Sequence, residues 1–201
     1  MTPNIFFTSD YHIGHYAPGR GNILTLGRGR PFSSIEEMAS AIADRHNEVV
    51  RSGDLVYNLG DFALKIGWEK ALAFRRRLVG NQYFFWGNHD KVAKEMFKRH
   101  PEVFVWARDL DTIKPSIGGI PPITLCHYAM RTWPGSYKGY WQLYGHSHSN
   151  LPEDHSLSFD VGVDTHNFYP YSIDEVKEKM LRKMPAWLAY KESLKGSGRV
   201  E

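Results

Sequence analysis

Three times before residue 91, the chain runs an apolar, extended-looking segment into a turn of ligand-type side chains. The segments are Asn4-Ile5-Phe6-Phe7-Thr8-Ser9, Asp54-Leu55-Val56-Tyr57-Asn58-Leu59 and Gln82-Tyr83-Phe84-Phe85-Trp86. Short runs rich in β-branched and aromatic residues read as buried strands. They end at Asp10-Tyr11-His12, Gly60-Asp61-Phe62 and Gly87-Asn88-His89-Asp90. A helix follows each. The first covers Ser33 to Val50, where Ser33 with Glu36, or Ser34 with Glu37, makes a capping box. Its stripe of Ile35, Met38, Ile42, His46 and Val49 faces a core and makes His46 a core-edge residue. The second runs from Trp68 to Leu78, with Arg75-Arg76-Arg77 suited to its C-terminal dipole. The third runs from Lys91 to about Arg99. Strand and helix alternating in this way predict an α/β layered fold around a central sheet. Ligand groups in such folds gather at the carboxyl ends of strands, where Asp10, Asp61 and Asn88 stand.

Beyond Pro101 the helical pattern stops. Val103 to Trp106, Leu110 to Ile113, Ile123 to Cys126, Tyr140 to Tyr144 and Leu157 to Val163 read as short strands. One of these ends at His127 and another at Gly145-His146-Ser147-His148. A last helix is expected from Ser172, capped by Glu175, to Met184, and the tail from about Lys195 is expected to be mobile. With 201 residues, 42% of them hydrophobic, and no internal repeat or linker, residues 1–201 are expected to form one domain. No segment approaches the roughly 20 apolar residues of a membrane span. Nor is there a basic-then-apolar leader, and a lone cysteine, Cys126, fits a reducing compartment, so a cytoplasmic protein is expected. A formal charge of +3 is compatible with a phosphate-bearing partner without implying nucleic acid.

Of the ten histidines, five (His12, His89, His127, His146 and His148) fall at strand–loop junctions beside Asp, Asn or Gly. Core histidines would scatter. Residues two apart on an extended segment face one side, so Asp10 and His12 can share a target. Asn88 offers a neutral carbonyl oxygen. His89 brings the residue type suited to proton transfer. Asp90 could hold that imidazole or cap the helix at Lys91, and Gly87 allows a tight turn where a side chain would clash. Leaving His89 aside, Asp10, His12, Asp61, Asn88, His127, His146 and His148 exceed the needs of one divalent ion. Two ions sharing a carboxylate resolve the excess. Two such ions about 3.5–4 Å apart suit in-line displacement at phosphorus. Nitrogen and oxygen donors without thiolate favour Mn, Fe, Zn or Ni over Mg or Ca.

The ordered set D-x-H, G-D, G-N-H-D, H and G-H-x-H, from Asp10 to His148, resembles the calcineurin-like metallophosphoesterase superfamily. Arg30-Pro31-Phe32, His127-Tyr128, Trp141 to Tyr144 and Asp160-Val161-Gly162-Val163-Asp164 are similar to its small single-domain bacterial and phage branch, although Ala129 stands where that branch often has Pro. The resemblance implies a sandwich of two mixed β-sheets flanked by helices. It implies one ion on Asp10, His12, Asp61 and His148, and a second on Asp61, Asn88, His127 and His146, with Asp61 bridging. It further implies a bridging hydroxide as nucleophile, His89 as general acid and Asp90 as its orienting partner.

Substrate contacts are expected from His15, Asn88 and Arg131. Arg20, Arg28 and Arg30 form either a solvated loop or a basic rim, and His155, His166 and Tyr128 are further cleft candidates. A short chain without an obvious capping domain implies an open site. The expected activity is therefore hydrolysis of phosphodiesters, with monoesters as further substrates. One rival is a nuclease or nucleic-acid end-processing phosphatase, with bases stacked on Tyr11, Tyr16 or Trp133. Another is a non-catalytic scaffold, like the retromer subunit of this fold that departs from the active-site pattern. The presence of every ligand and of His89 argues against the scaffold.

Overall fold

The structure, a computed structural model, describes residues 2–17, 21–25 and 29–196. Five strands form one sheet in the order β11-β1-β4-β5-β6. Here β1 is Ile5–Thr8, β4 Leu55–Asn58, β5 Asn81–Phe85 and β6 Trp106–Arg108, all parallel, while β11, Tyr171–Ser172, pairs antiparallel with β1. A second sheet has the order β10-β9-β8-β7: Ser158–Asp160, Trp141–Tyr144, Ile123–Cys126 and Leu110–Ile113, with β7 antiparallel to β8 and the others parallel. A small antiparallel hairpin, β2 (Tyr16–Ala17) with β3 (Gly21–Asn22), follows β1 in the chain.

Strand alternation assigns each face. Phe6, Val56 and Phe84 point toward the helices, whereas Phe7, Tyr57 and Phe85 point the other way, each from a neighbouring position on β1, β4 or β5. On that second face they meet Ile123, Leu125, Trp141, Leu143 and Phe159 of the other sheet, so the two sheets share one interior. Helix α1 (Ile35–Val49), α2 (Trp68–Arg75) and α3 (Lys91–Arg99) cover the outer face with Met38, Ile42, Leu72, Phe74 and Met96. The result is an α/β arrangement of two mixed sheets flanked by helices.

Ser34 caps α1, accepting from the Glu37 amide, while Glu37 reaches back to the amide of Ser33. The Ser172–Glu175 box is reciprocal, as expected. Three elements differ from expectation. The strand placed at Val103 starts only at Trp106, because Pro101–Val103 winds as a 3-10 turn that buries Val103 and Phe104 among the helices. The strand expected to reach Val163 ends at Asp160, and Val163–Thr165 forms a 3-10 turn. Helix α4, Ile173–Gly196, continues through Pro185, since Met184 and Trp187 pack on the inter-sheet core on either side of it. Residues 197–201, most of the tail expected to be mobile, lie outside the described residues. Among the described residues, no helix is long and apolar enough to cross a membrane.

Candidate metal centre

Thr8 is level with Asn58 across β1 and β4, and Asn58 with Phe84 across β4 and β5, so three parallel strands end together. Their turns are laced by backbone bonds from the Asp10 amide to the Gly60 carbonyl and from the His12 amide to the Asp61 carbonyl, both 2.9 Å. The other sheet delivers His127 and His146 from adjacent ends of β8 and β9, joined by the Gly145 amide on the His127 carbonyl. A bridge between Ser9 and Gly162 and the bond from the His146 amide to the Asp10 carboxylate, 3.0 Å, bring the two sets of turns together.

Two groups result. The ligand atoms of Asp10, His12 and His148 lie within 4.8 Å of one another, as do those of Asp61, His127 and His146. Asp61 stands between them: its Oδ2 is 3.4 Å from His12 Nε2 and 3.4 Å from His127 Nε2. Asn88 Oδ1 approaches His127 Nε2 at 3.1 Å. All seven residues expected as ligands therefore gather at one place. Five of them, Asp10, His12, Asp61, His146 and His148, have left-handed backbones with φ between 48° and 67°. Non-glycine residues pay about 1 kcal/mol or more for that conformation, a strain that clusters at functional sites.

The donors fit divalent ions. Both ring nitrogens of His12 are buried without a hydrogen-bond partner among the described residues, a costly state that coordination would relieve at one of them. Burial holds His12 down to about 2 and pushes Asp10 up to about 7, against the pull of His148. Burial also works against Asp61, but the His127 hydrogen bond and charge, the His89 amide and His12 together outweigh it and keep the carboxyl below its usual range. His127 is raised, since the Asp61 hydrogen bond, the charges of Asp10 and Asp61 and the Leu59 carbonyl together overcome burial, and its Nδ1 lies 2.7 Å from that carbonyl, leaving Nε2 for the site. Cys126, half-buried, belongs to neither group.

His89 is half-buried, its ring centroid 5.6 Å from that of His12 and 6.3 Å from that of His15. His12, His15, His89, His146 and His148 all line one cleft of about 430 Å3 with Asp61, its outer wall built by Pro31, Asn167 and Phe168. Burial, with His89 next, pulls His15 below its usual range. Tyr128 lies beside the cleft, its ring 4.9 Å from His146.

Other expectations are corrected. Asp90 holds the N-cap position of α3, as expected, but its carboxylate bonds neither the His89 ring nor the first turn of the helix: it accepts from the amides of Gly87, Asp61 and Phe62 at 2.6, 2.9 and 2.8 Å. It clamps two ligand turns together, and burial still pushes it up to about 6. Gly87 is needed for close approach rather than for a turn, because a Cβ there would collide with Asp61 Oδ1. Arg131 is exposed and lines a separate groove of about 480 Å3 with Trp133, Tyr137, His155 and Tyr190. His166 faces Glu175 and stacks on Tyr171. Tyr11 and Trp133 are buried and offer no face to a base, whereas Tyr16 is exposed. His46 is fully buried rather than at the core edge. Arg30 is neither rim nor solvated; it is 4% exposed, and Arg20 and Arg28 lie outside the described residues.

Two organising carboxylates carry no assignment from the sequence, although D-V-G-V-D contains both. Asp160 accepts from Ser147 Oγ at 2.6 Å and from the Ser149 and Gly162 amides, shaping the turn that carries His146 and His148. Asp164 receives His148 Nδ1 at 2.7 Å.

Fold and site thus define an α/β two-sheet protein with two adjoining Asp/His groups able to hold metal ions. No family model matches the chain. It is 30% identical over 177 residues to the uncharacterized protein MJ1445 of Methanocaldococcus jannaschii, spanning 85% of this chain and 87% of that one. It belongs to the same family as that protein. The crystal structure of the protein of unknown function AQ665 from Aquifex aeolicus shares the fold, with a TM-score of 0.64 and 22% identity, covering 88% of this chain and 99% of the other.

Proposed function

We propose that the chain is a calcineurin-like metallophosphoesterase that hydrolyses phosphodiesters, with monoesters as further substrates, using two divalent transition-metal ions. The observation that carries this reading is Asp61 Oδ2, equidistant at 3.4 Å from one histidine of each group. A carboxylate so placed can serve both ions, with Asp10, His12 and His148 on one side and Asn88, His127 and His146 on the other. Mn, Fe, Zn and Ni are the candidate ions, with Mn taken first, because imidazole, carboxylate and amide donors without thiolate suit this group over Mg or Ca. When bound, the ions supply Lewis acidity and a lowered pKa for water.

The chain's own groups do the rest. His89 faces the cleft from a backbone fixed by its amide on Asp61 Oδ1, 2.8 Å, so its imidazole can protonate the departing ester oxygen. His15, across the cleft, can hydrogen-bond a phosphoryl oxygen, and Asn88 stands exposed with its Oδ1 3.1 Å from His127 Nε2. An open cleft of about 430 Å3 accommodates a substituted phosphate with both ester groups.

The test is a panel of a monoester, a diester, a 2′,3′-cyclic nucleotide and a short oligonucleotide, offered to Mn-reconstituted protein. Diester turnover that stops with chelator and returns with Mn is expected. A preparation holding two ions that hydrolyses nothing in the panel refutes the reading.

A further inference from the structure

Two sequence features, Arg30-Pro31-Phe32 and the end of Asp160 to Asp164, are not absorbed by the ligand set, and they meet in space. Arg30 Nε and Nη2 donate to Asp164 Oδ1 and Oδ2, each at 2.8 Å, in a fork-to-fork pair across 134 residues of chain. The same guanidinium donates to the carbonyls of Asp10 at 2.6 Å and Tyr11 at 3.0 Å. Those carbonyls belong to the strained stretch in which Asp10 and His12 both adopt positive φ. Asp164 Oδ2 also holds His148 Nδ1 at 2.7 Å, which directs Nε2 toward Asp10 Oδ1, 3.8 Å away. One buried ion pair therefore acts on a single group through the Asp10 backbone, the residue between Asp10 and His12, and the His148 ring.

The other group is held differently. His127 is oriented by a neutral backbone carbonyl, and the hydrogen bonds of the Arg30 and Asp164 side chains go to Asp10, Tyr11, Met38 and His148, not to Asp61, His127 or His146. A buried ion pair is weak as a source of stability, because desolvation offsets its attraction. Arginine's planar fork is strong as a geometric constraint. A carboxylate behind a ligating imidazole fixes the tautomer and raises ligand basicity.

We infer that Arg30 and Asp164 are positioning residues for one ion only, the ion held by Asp10, His12 and His148, and that they set its affinity independently of the Asp61, His127 and His146 side. The inference rests on the two-ion reading above, but not on the reaction assigned to it.

Mn titration of the apo protein, followed by calorimetry and by electron paramagnetic resonance, tests this without any activity measurement. Asp164→Asn is expected to weaken one of two equivalents by about 10- to 100-fold. The exchange-coupled signal of a Mn pair should then give way to that of an isolated ion, while the other equivalent keeps its wild-type affinity. If that variant does not fold, because Arg30 is left as an unpaired buried charge, the Arg30→Gln/Asp164→Asn double variant buries no charge and should show the same selective loss. Two equivalents bound at wild-type affinity by either folded variant, or equal weakening of both, overturns the inference. So does a wild-type chain that never takes up a second equivalent. A two-ion wild type that fails the ester panel sinks the phosphoesterase reading and leaves this one to the titration.

Discussion

A histidine that ligates a metal and a histidine that donates a proton differ in what their rings touch. His127 is fully buried, pinned through Nδ1 to the Leu59 carbonyl, with Nε2 turned to Asp61. His89 belongs to neither ligand group, although its own amide is bonded to Asp61 Oδ1. Its ring instead joins those of His12 and His15 along the cleft. On the proposed reading, replacing it spares the ions and removes only the proton donor. His89→Ala is expected to bind two equivalents of Mn and to lose roughly 10²–10⁴-fold in kcat on esters with poor leaving groups, with a smaller loss on good ones. Asp61→Ala, which removes the oxygen shared by both groups, should lose metal and activity together. Elemental analysis of dialysed protein beside a leaving-group series separates the two outcomes. A His89→Ala protein as fast as wild type on an alkyl ester ends the acid assignment.

The ligand turns are locked to one another by close approach. Gly87 ends the segment after β5, where a Cβ would press on the Asp61 side chain and lie 2.6 Å from the Asp61 amide. The Asp90 clamp, which binds the Gly87 and Asp61 amides with one oxygen, leaves neither turn free to retreat. Gly87→Ala should thus cost about 1–3 kcal/mol of stability by overpacking and displace the shared carboxylate. Urea denaturation and a Mn titration on the same preparation check both effects. A Gly87→Ala protein with wild-type midpoint and wild-type metal uptake would show that the turns are looser than described. Elements of this kind are largely legible in the sequence. Apolar runs such as Phe6-Phe7 and Phe84-Phe85 mark strands, and groups that ligate must sit where those strands stop. What Asp90 does is not legible, because a carboxylate bonded to three backbone amides leaves no mark in the side chains around it. Nor is the Arg30–Asp164 pair, whose partners are 134 residues apart and obey no local period. Pro185 suggests a helix end only because the packing of Trp187 on the core is invisible from the helix alone.

The layers of the whole molecule are tied together by a polar group where the α1 stripe predicts only packing. His46, fully buried on α1, has Nδ1 3.3 Å from the Tyr11 hydroxyl and Nε2 2.9 Å from the Val79 carbonyl. It thereby joins a helix, the turn after β1 and the segment beyond α2. Burial lowers its pKa from an ordinary 6.5 to about 4, the Val79 bond only partly opposing it. Between those two values the unfolded chain binds a proton that the folded chain refuses. Stability from this group is therefore complete above about pH 6.5 and is lost as the pH falls toward 4, by on the order of 3 kcal/mol. Asp90, raised by burial to about 6, acts in the opposite sense, since the folded chain then holds a proton that the unfolded chain has released. The pH profile of the wild type alone consequently mixes these with the shifts at Asp10 and His12, and the informative quantity is its difference from His46→Gln, which keeps an amide near both partners but cannot titrate. Urea midpoints measured from pH 7.5 to pH 4 should show the wild type declining more steeply than the His46→Gln protein. Parallel curves across that range would mean that His46 takes up its proton without opening the fold.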